Sequence, residues 1–302
     1  MQTILVSLDF SYMDEHLIRY TFSTAQKQHT EKVILVHAAK EGQLQTEMEF
    51  EGKMMPAHEA LLEQMKATVA KVLGETEFSP AIVYELMAGE PLIKILEASK
   101  KHATDLIVVG KKKIGDGTGN MSKKLSRRAL CSVLTLTEKP SADMKKILIP
   151  IDFSQMSKTA LKKALHYTRN TGIELTCLNI IGLPTGYHTS GKRPEEYAKI
   201  LISHAEKRFA QFIEDLDTEG AKLSCRFHFD PTNSKGAKII FNIALVEDAD
   251  LIVIGSRGKS EMAAKFLGST TERLLLNNLS IPTLVVKDRD QKVNFFEALI
   301  NI

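Results

Sequence analysis

Short apolar runs alternate with longer segments of helical period along the chain. In the second half the runs fall at 147–151, 174–180, 222–228, 250–254 and 282–286. The stretches ILIPI and LIVIG are apolar at successive positions, as in strands covered on both faces. Between the first two runs, Ala160, Leu161, Ala164, Leu165 and Thr168 recur at spacings of three and four, one face of a helix. Ser154 is placed to cap that helix and Gly172 to follow its end. Pro194 suits the first turn of a further helix carrying Tyr197, Ile200, Leu201, His204, Phe209 and Phe212. Strands alternating with helices predict βαβ units, a parallel sheet and right-handed crossovers. The expected fold is an open, doubly wound α/β domain of about five strands, whose ligands bind at the carboxyl ends of the strands, at the switch point.

The same pattern occurs twice. ILVSLDFS at 4–11 returns as ILIPIDFS at 147–154, and DLIVVG at 105–110 as DLIVIG at 250–255. The closing strands CSVLTLTE (131–138) and IPTLVVKD (281–288) follow in the same order. A period this long means domain duplication, not a solenoid. Pro140 and Ser141 break structure near the boundary, between Glu138 and Lys146. The expected domains are 1–140 and 145–290, with 291–302 as an amphipathic tail. The short linker predicts that the two domains pack together.

A chain of 302 residues agrees with two domains. Hydrophobic residues at 43% and charged residues at 25% are ordinary globular values, which excludes disorder as the main state. A net charge of +3 gives no general nucleic-acid footprint. Cys131, Cys177 and Cys225 form no C-x-x-C and read as buried, inert thiols. The opening MQTILVSLDF lacks a basic region and a long apolar one, so no signal peptide is expected. No apolar run reaches about 18 residues, so no membrane contact is expected. The default compartment is the cytoplasm.

The chemistry concentrates after the fourth strand of the second copy, in GSRGKSEMAAKFLGSTTERLLL. Gly255 and Gly258 are expected to take φ > 0 and to let backbone approach a ligand. Gly268, Ser269 and Thr270 open a helix ending near Asn277, whose free N–H groups and two hydroxyls form an anion site. Arg257 and Lys259 add positive charge. Charge-assisted hydrogen bonds contribute roughly 1.5–3 kcal/mol each. Three or four of them, less ordering costs, support roughly micromolar binding. Two surface turns and an ordinary helix cap would account for the same residues, and Asp152 at a strand–helix junction could be a cap alone.

This G-x2-G-x9-G-[ST] pattern, between a DLIVIG strand and a PTLVV strand, resembles the ATP-binding signature of universal stress proteins. ILIPIDFS resembles that family's first strand. The resemblance covers nearly the whole chain, twice. It implies two Rossmann-like domains with open five-stranded parallel sheets, adenine nucleotide alpha hydrolase-like, paired as a pseudo-dimer. It implies that Asp152 contacts the nucleoside, and that Gly255, Gly258, Gly268 and Ser269, with Thr270 and Arg257 beside them, embrace ribose and phosphates. The implied ligand is ATP, or AMP or ADP, with Mg2+ or Mn2+ on the phosphates. The implied role is a stress-response regulator or nucleotide sensor with a protein partner, in a homodimer, rather than an enzyme. Two alternatives stay open: a slow ATPase or self-phosphorylating protein using Ser269 or Thr270, and an interaction scaffold with a vestigial site.

The first copy departs from the pattern. Lys113 stands where the second glycine belongs, and the stretch from Gly110 to Cys131 is five residues shorter than that from Gly255 to Ile281. Asp9 survives, but a pocket without a phosphate cradle should bind ATP poorly. Lys111, Lys112, Lys113, Lys123, Lys124, Arg127 and Arg128 read first as a solvated face, with an acidic partner or a phosphate ligand as the alternative. GYHTSGKR at 186–193 approaches a P-loop, but Arg193 replaces the magnesium-binding hydroxyl. Gly115, Gly117 and Gly119 do not make a dinucleotide fingerprint. His228 and Asp230 alternate on a strand edge and read as a surface pair rather than metal ligands. Glu-rich 47–51 reads as a solvated linker or helix start, and Phe295, Phe296, Leu299 and Ile300 as a docking helix.

Overall fold

The structure, a computed structural model, describes residues 3–27, 29–74, 80–112, 121–138, 144–184, 193–258 and 267–288. The Lys113 position, the P-loop-like segment up to residue 192, Lys259 and the tail lie outside the described residues. The chain divides into two compact units, Met1–Ala142 and Asp143–Ile302.

The second unit runs β8 (Lys146–Ile151), α5 (Gln155–Thr168), β9 (Glu174–Gly182), α6 (Pro194–Ile213), β10 (Lys222–Asp230), α7 (Gly236–Val246), β11 (Leu251–Gly255), α8 (Ser269–Asn277) and β12 (Thr283–Val286). Every pairing among its strands is parallel, in the order β10-β9-β8-β11-β12. The first unit repeats this plan with β1 (Thr3–Leu8), α1 (Met13–Lys27), β2 (Lys32–Ala39), α2 (Ala57–Leu73), β5 (Ala81–Ala88), α3 (Pro91–Lys101), β6 (Leu106–Gly110), α4 (Met121–Arg128) and β7 (Ser132–Leu136). Its parallel order is β5-β2-β1-β6-β7. In each unit the first strand lies between the second and the fourth. The chain therefore winds outward both ways and leaves a switch point at the carboxyl ends of the first and fourth strands.

Burial explains the continuous apolar runs. In β8, Leu148 joins Leu178, Ile240, Ile252 and Leu274 in a core under α7 and α8. Ile147, Ile149 and Ile151 alternate with it and are also buried, on the side that α5 covers with Ala160 and Leu161. The aspartate that opens each DLIV run has a local task. Asp105 accepts from the Thr3 N–H at 3.1 Å, and Asp250 from the Lys145 and Lys146 N–H groups at 2.7 and 3.0 Å. Each carboxylate thereby fastens the start of the neighbouring first strand.

The Glu-rich segment is neither linker nor helix start. It forms an antiparallel hairpin, β3 (Glu47–Phe50) with β4 (Lys53–Pro56), inserted between β2 and α2. Glu47 and Glu49 face solvent while Met48 and Phe50 are half-buried, so the segment has a period of two that its acidic residues disguise. Cys131 and Cys177 are buried, and Cys225 is half-buried in direct register with Cys177 on the adjacent strand. Burial raises the pKa of both Cys177 and Cys225 and keeps them as thiols.

The turn from the first strand into its helix uses one backbone device in both units. Phe10 and Phe153 sit at φ 58° and 60°, a left-handed conformation that is rare for a bulky residue. In the first unit Asp14 supports it by accepting from the N–H groups of Asp9 (3.2 Å) and Phe10 (2.8 Å). Asp14 is 3% exposed, and burial pushes its pKa up to about 7 despite those two hydrogen bonds. Between 3.8, its ordinary value, and about 7, the folded chain holds a proton that the unfolded chain has lost. Folding stability contributed by this group therefore falls as pH rises through that window, by on the order of a few kcal/mol in total. Urea denaturation should show a lower midpoint at pH 8 than at pH 5, with a smaller difference in Asp14→Asn.

Candidate functional site

The site begins where β8 ends. The chain leaves Ile151, passes Asp152 and the left-handed Phe153, and reaches Ser154, whose Oγ caps α5 by accepting from the Ser157 N–H at 3.2 Å. Asp152 Oδ1 accepts from the Ser154 N–H at 3.0 Å, so the carboxylate is anchored at the strand end. The Phe153 ring meets Phe212 edge-on at 5.4 Å, with the Arg208 guanidinium 4.6 Å from its centre. Those contacts offset the strain of the turn and fix the direction in which Asp152 leaves the sheet.

The end of β11 supplies the second wall. The glycines there are needed for space, not for positive φ. Gly268 has φ −58°, and neither Gly255 nor Gly258 is in the left-handed region. A Cβ on Gly255 would lie 3.0 Å from the backbone of Met156, and one on Gly258 would lie 2.9 Å from Asp152 Oδ2. The expectation of φ > 0 is therefore corrected. Gly255 is held against the backbone at the start of α5, and a side chain at Gly258 would have to push the Asp152 carboxylate aside.

Two hydrogen bonds then tie the start of α8 to that strand end. The Gly268 N–H donates to the Ser256 carbonyl at 2.8 Å, and Thr271 Oγ1 donates to the Gly255 carbonyl at 2.9 Å. Gly268 is the N-cap of α8 and offers no side chain to its first-turn N–H groups. Those groups, with the partial positive charge of the helix start, face outward for an anion.

Asp152, Gly255, Arg257, Gly258, Gly268, Ser269 and Thr270 all line one cavity of about 330 Å³ at the switch point. Sequence reasoning missed the rest of the lining. Ser157 comes from the first turn of α5, Thr271 from α8, and the apolar side from Pro150, Leu178, Ile180, Gly236, Ile240 and Ile254. Ser157 and Thr271 carry a weak signal, as hydroxyl residues at helix starts beside a strand end. The cavity joins an apolar end to an end of hydroxyls, N–H groups, one carboxylate and one guanidinium. That chemistry suits an amphiphilic anion. Among the described residues no group of three His, Cys, Asp or Glu side chains could hold a metal ion. Asp230 in particular is committed to its own turn. Thr232 and Ser234 donate to its carboxylate and hold its pKa low.

The first unit has an ion pair at the corresponding place. Lys112, the counterpart of Arg257, puts its ammonium 2.7 Å from Asp9, the counterpart of Asp152. Where the second unit has Ser157, the first has the buried Asp14. The basic stretch is also not one solvated face. Lys111 is 1% exposed, and burial lowers its pKa to about 8. Lys111 follows β6 as Ser256 follows β11, and Ser256 is buried as well. Lys124, Arg127 and Arg128 on α4 remain exposed.

Comparison with known proteins gives one family. The model described as universal stress protein family matches residues 1–136 and again 144–287. The universal stress protein YxiE of Bacillus subtilis (strain 168) is 29% identical over 148 residues, covering 47% of this chain and 98% of that protein. Among solved structures, a functionally unknown protein, PA1789 from Pseudomonas aeruginosa PAO1, superposes with a TM-score of 0.64 at 16% identity, over 100% of this chain and 98% of that one. A universal stress protein from Archaeoglobus fulgidus DSM 4304 superposes at 0.61 and 18% identity, over 96% and 97%. At these identities the two structures establish the fold.

The tie between α8 and β11 has a measurable weight. Thr271→Val keeps the shape but strands the buried Gly255 carbonyl, at a cost of about 1–3 kcal/mol. Thermal unfolding should fall by several degrees in Thr271→Val and by much less in Thr271→Ser.

Proposed function

The chain belongs to the universal stress protein family, and we propose that its second unit binds an adenine nucleotide, ATP or its AMP and ADP relatives. One observation carries this reading. Asp152, the 255–258 turn and the glycine-capped start of α8 come from distant parts of the sequence and converge on one cavity. Its apolar end suits a flat base, Asp152 is placed for ribose hydroxyls, and the helix start with Ser269, Thr270 and Arg257 suits phosphates. A volume of about 330 Å³ lies within the range of small-molecule sites. A divalent cation such as Mg2+ or Mn2+ would arrive on the phosphates. Ser269 and Thr270 are the oxygen donors at the phosphate end, which fits a hard cation that keeps most of its water.

The role that follows is a nucleotide sensor in the cytoplasm. Occupancy at a hundred times Kd stabilises the ligand-binding unit by about 2.7 kcal/mol. The surface offered to a protein partner, including a second copy, shifts only as far as the ligand distinguishes two states. The first unit binds nucleotide poorly, because the third glycine and hydroxyl of the 255–270 segment have no counterpart in register there. A second reading has one observation in its favour: Ser269 and Thr270 present hydroxyls at the phosphate end, where self-phosphorylation would occur. Hydrolysis is slow on either reading. Asp152 is the lone carboxylate among the described lining residues, and one of its oxygens already holds the Ser154 N–H.

Titration calorimetry with ATP should give one site per chain and a Kd of roughly micromolar order. Gly258→Val places carbon against Asp152 Oδ2 and should weaken binding at least about tenfold, as should Asp152→Ala. Unchanged affinity in both variants would remove the assigned site. Phosphopeptide mapping after incubation with ATP separates the self-phosphorylating reading.

A further inference from the structure

The apolar end of the cavity has a latch of its own. Leu178, Ile180 and Gly182 stand at alternate positions of β9 and share one face of the sheet. Leu178 and Ile180 line the cavity, and Gly182 is the next position on that wall. An ideal Cβ on Gly182 would lie 2.0 Å from Asn233 Oδ1, the closest approach among the described glycines. Asn233 Nδ2 donates to the Leu183 carbonyl at 3.0 Å, so the amide is seated on the strand end. Its backbone is left-handed, at φ 48°, which asparagine tolerates better than most residues.

The turn that carries Asn233 is therefore held from two sides. Asp230, at the end of β10, accepts from the N–H and hydroxyl of both Thr232 and Ser234, at 2.6–3.0 Å. Asn233 fastens the same turn to β9. The chain then enters α7 at Gly236, a cavity-lining residue whose own ideal Cβ would stand 3.7 Å from Ile180 Cδ1 and 3.8 Å from Thr270 Cγ2. Ile240, one turn further on, lines the cavity from the same helix. The start of α7 is thus held beside the β9 wall by the Asn233 amide as well as by the packing of Ile240 in the core.

We infer that Gly182 and Asn233 are positioning residues for the nucleobase: the space at Gly182 lets the Asn233 amide sit on the strand end and hold the start of α7 beside the apolar slot. This rests on the nucleotide reading above. A methyl group at residue 182 displaces the Asn233 amide oxygen, costs the amide its bond to the Leu183 carbonyl, and frees the turn that leads into Gly236. A flat ring against Ile180 then loses a fixed wall on its other face.

Calorimetric titration of the full chain with ATP and with ADP tests this in wild type, Gly182→Ala, Asn233→Gly and the double variant. Asn233→Gly accepts the same backbone conformation and removes the amide. Gly182→Ala should weaken ATP and ADP by the same factor, about tenfold, since the two share the base and differ only in phosphates. Asn233→Gly alone should weaken both about threefold, and adding Gly182→Ala to it should cost less than about twofold, because the clash has gone. No loss in Gly182→Ala, a loss confined to ATP, or a full tenfold loss that persists beside Asn233→Gly would each overturn the inference. Wild-type protein that binds neither nucleotide would overturn the reading of the cavity itself, and this inference with it.

Discussion

The close approach of β11's end to the starts of α5 and α8 is the constraint on which the candidate site depends. In a parallel sheet whose first strand lies between the second and fourth, the connections after β8 and β11 diverge to opposite faces. The space they leave is shaped by backbone, since Gly255 lies against Met156 and Gly258 against Asp152. Two hydrogen bonds then hold α8 so that its first turn faces that space. A side chain at Gly255 would press on the start of α5, and one at Gly258 on the Asp152 carboxylate that faces the same space.

The two units show what happens when one plan is kept and its contents change. Both retain the parallel order, the aspartate that fastens the first strand, and the left-handed phenylalanine. They differ in the residues placed at the switch point. In the second unit a carboxylate and a guanidinium line a cavity. The first pairs Asp9 with Lys112 and buries Asp14 and Lys111 nearby. A buried carboxylate and a buried amine shift toward their neutral forms in such surroundings, which is why both depart from their ordinary pKa. The shared features are those of the scaffold, and the divergent ones are those a ligand would meet.

Much of this was legible in the residues. Continuous apolar runs announced strands covered on both faces, and Ser154 and Pro194 marked helix starts where the structure has them. The glycine spacing pointed to the segment that lines the cavity, although for a different physical reason than the one expected. The hairpin at 47–56 was obscured because alternating glutamates look like solvated chain until Met48 and Phe50 are seen to turn inward. Lys111 was obscured because a lysine in a basic run gives no sign of burial. Ser157 and Thr271 were passed over because a hydroxyl near a helix start is too common to stand out alone.

The sequence by itself determined the duplication, the alternation of strand and helix, and the residue types available at each strand end. These follow from periodicity and spacing, which record each residue's own backbone preference and burial. Tertiary structure decided which of those residues meet. That Asn233 settles on Gly182, that Lys112 reaches Asp9, and that Thr271 holds the Gly255 carbonyl depend on strand register and on the face each crossover takes. Contacts of that kind are set by the packing of whole elements, and no local pattern encodes them.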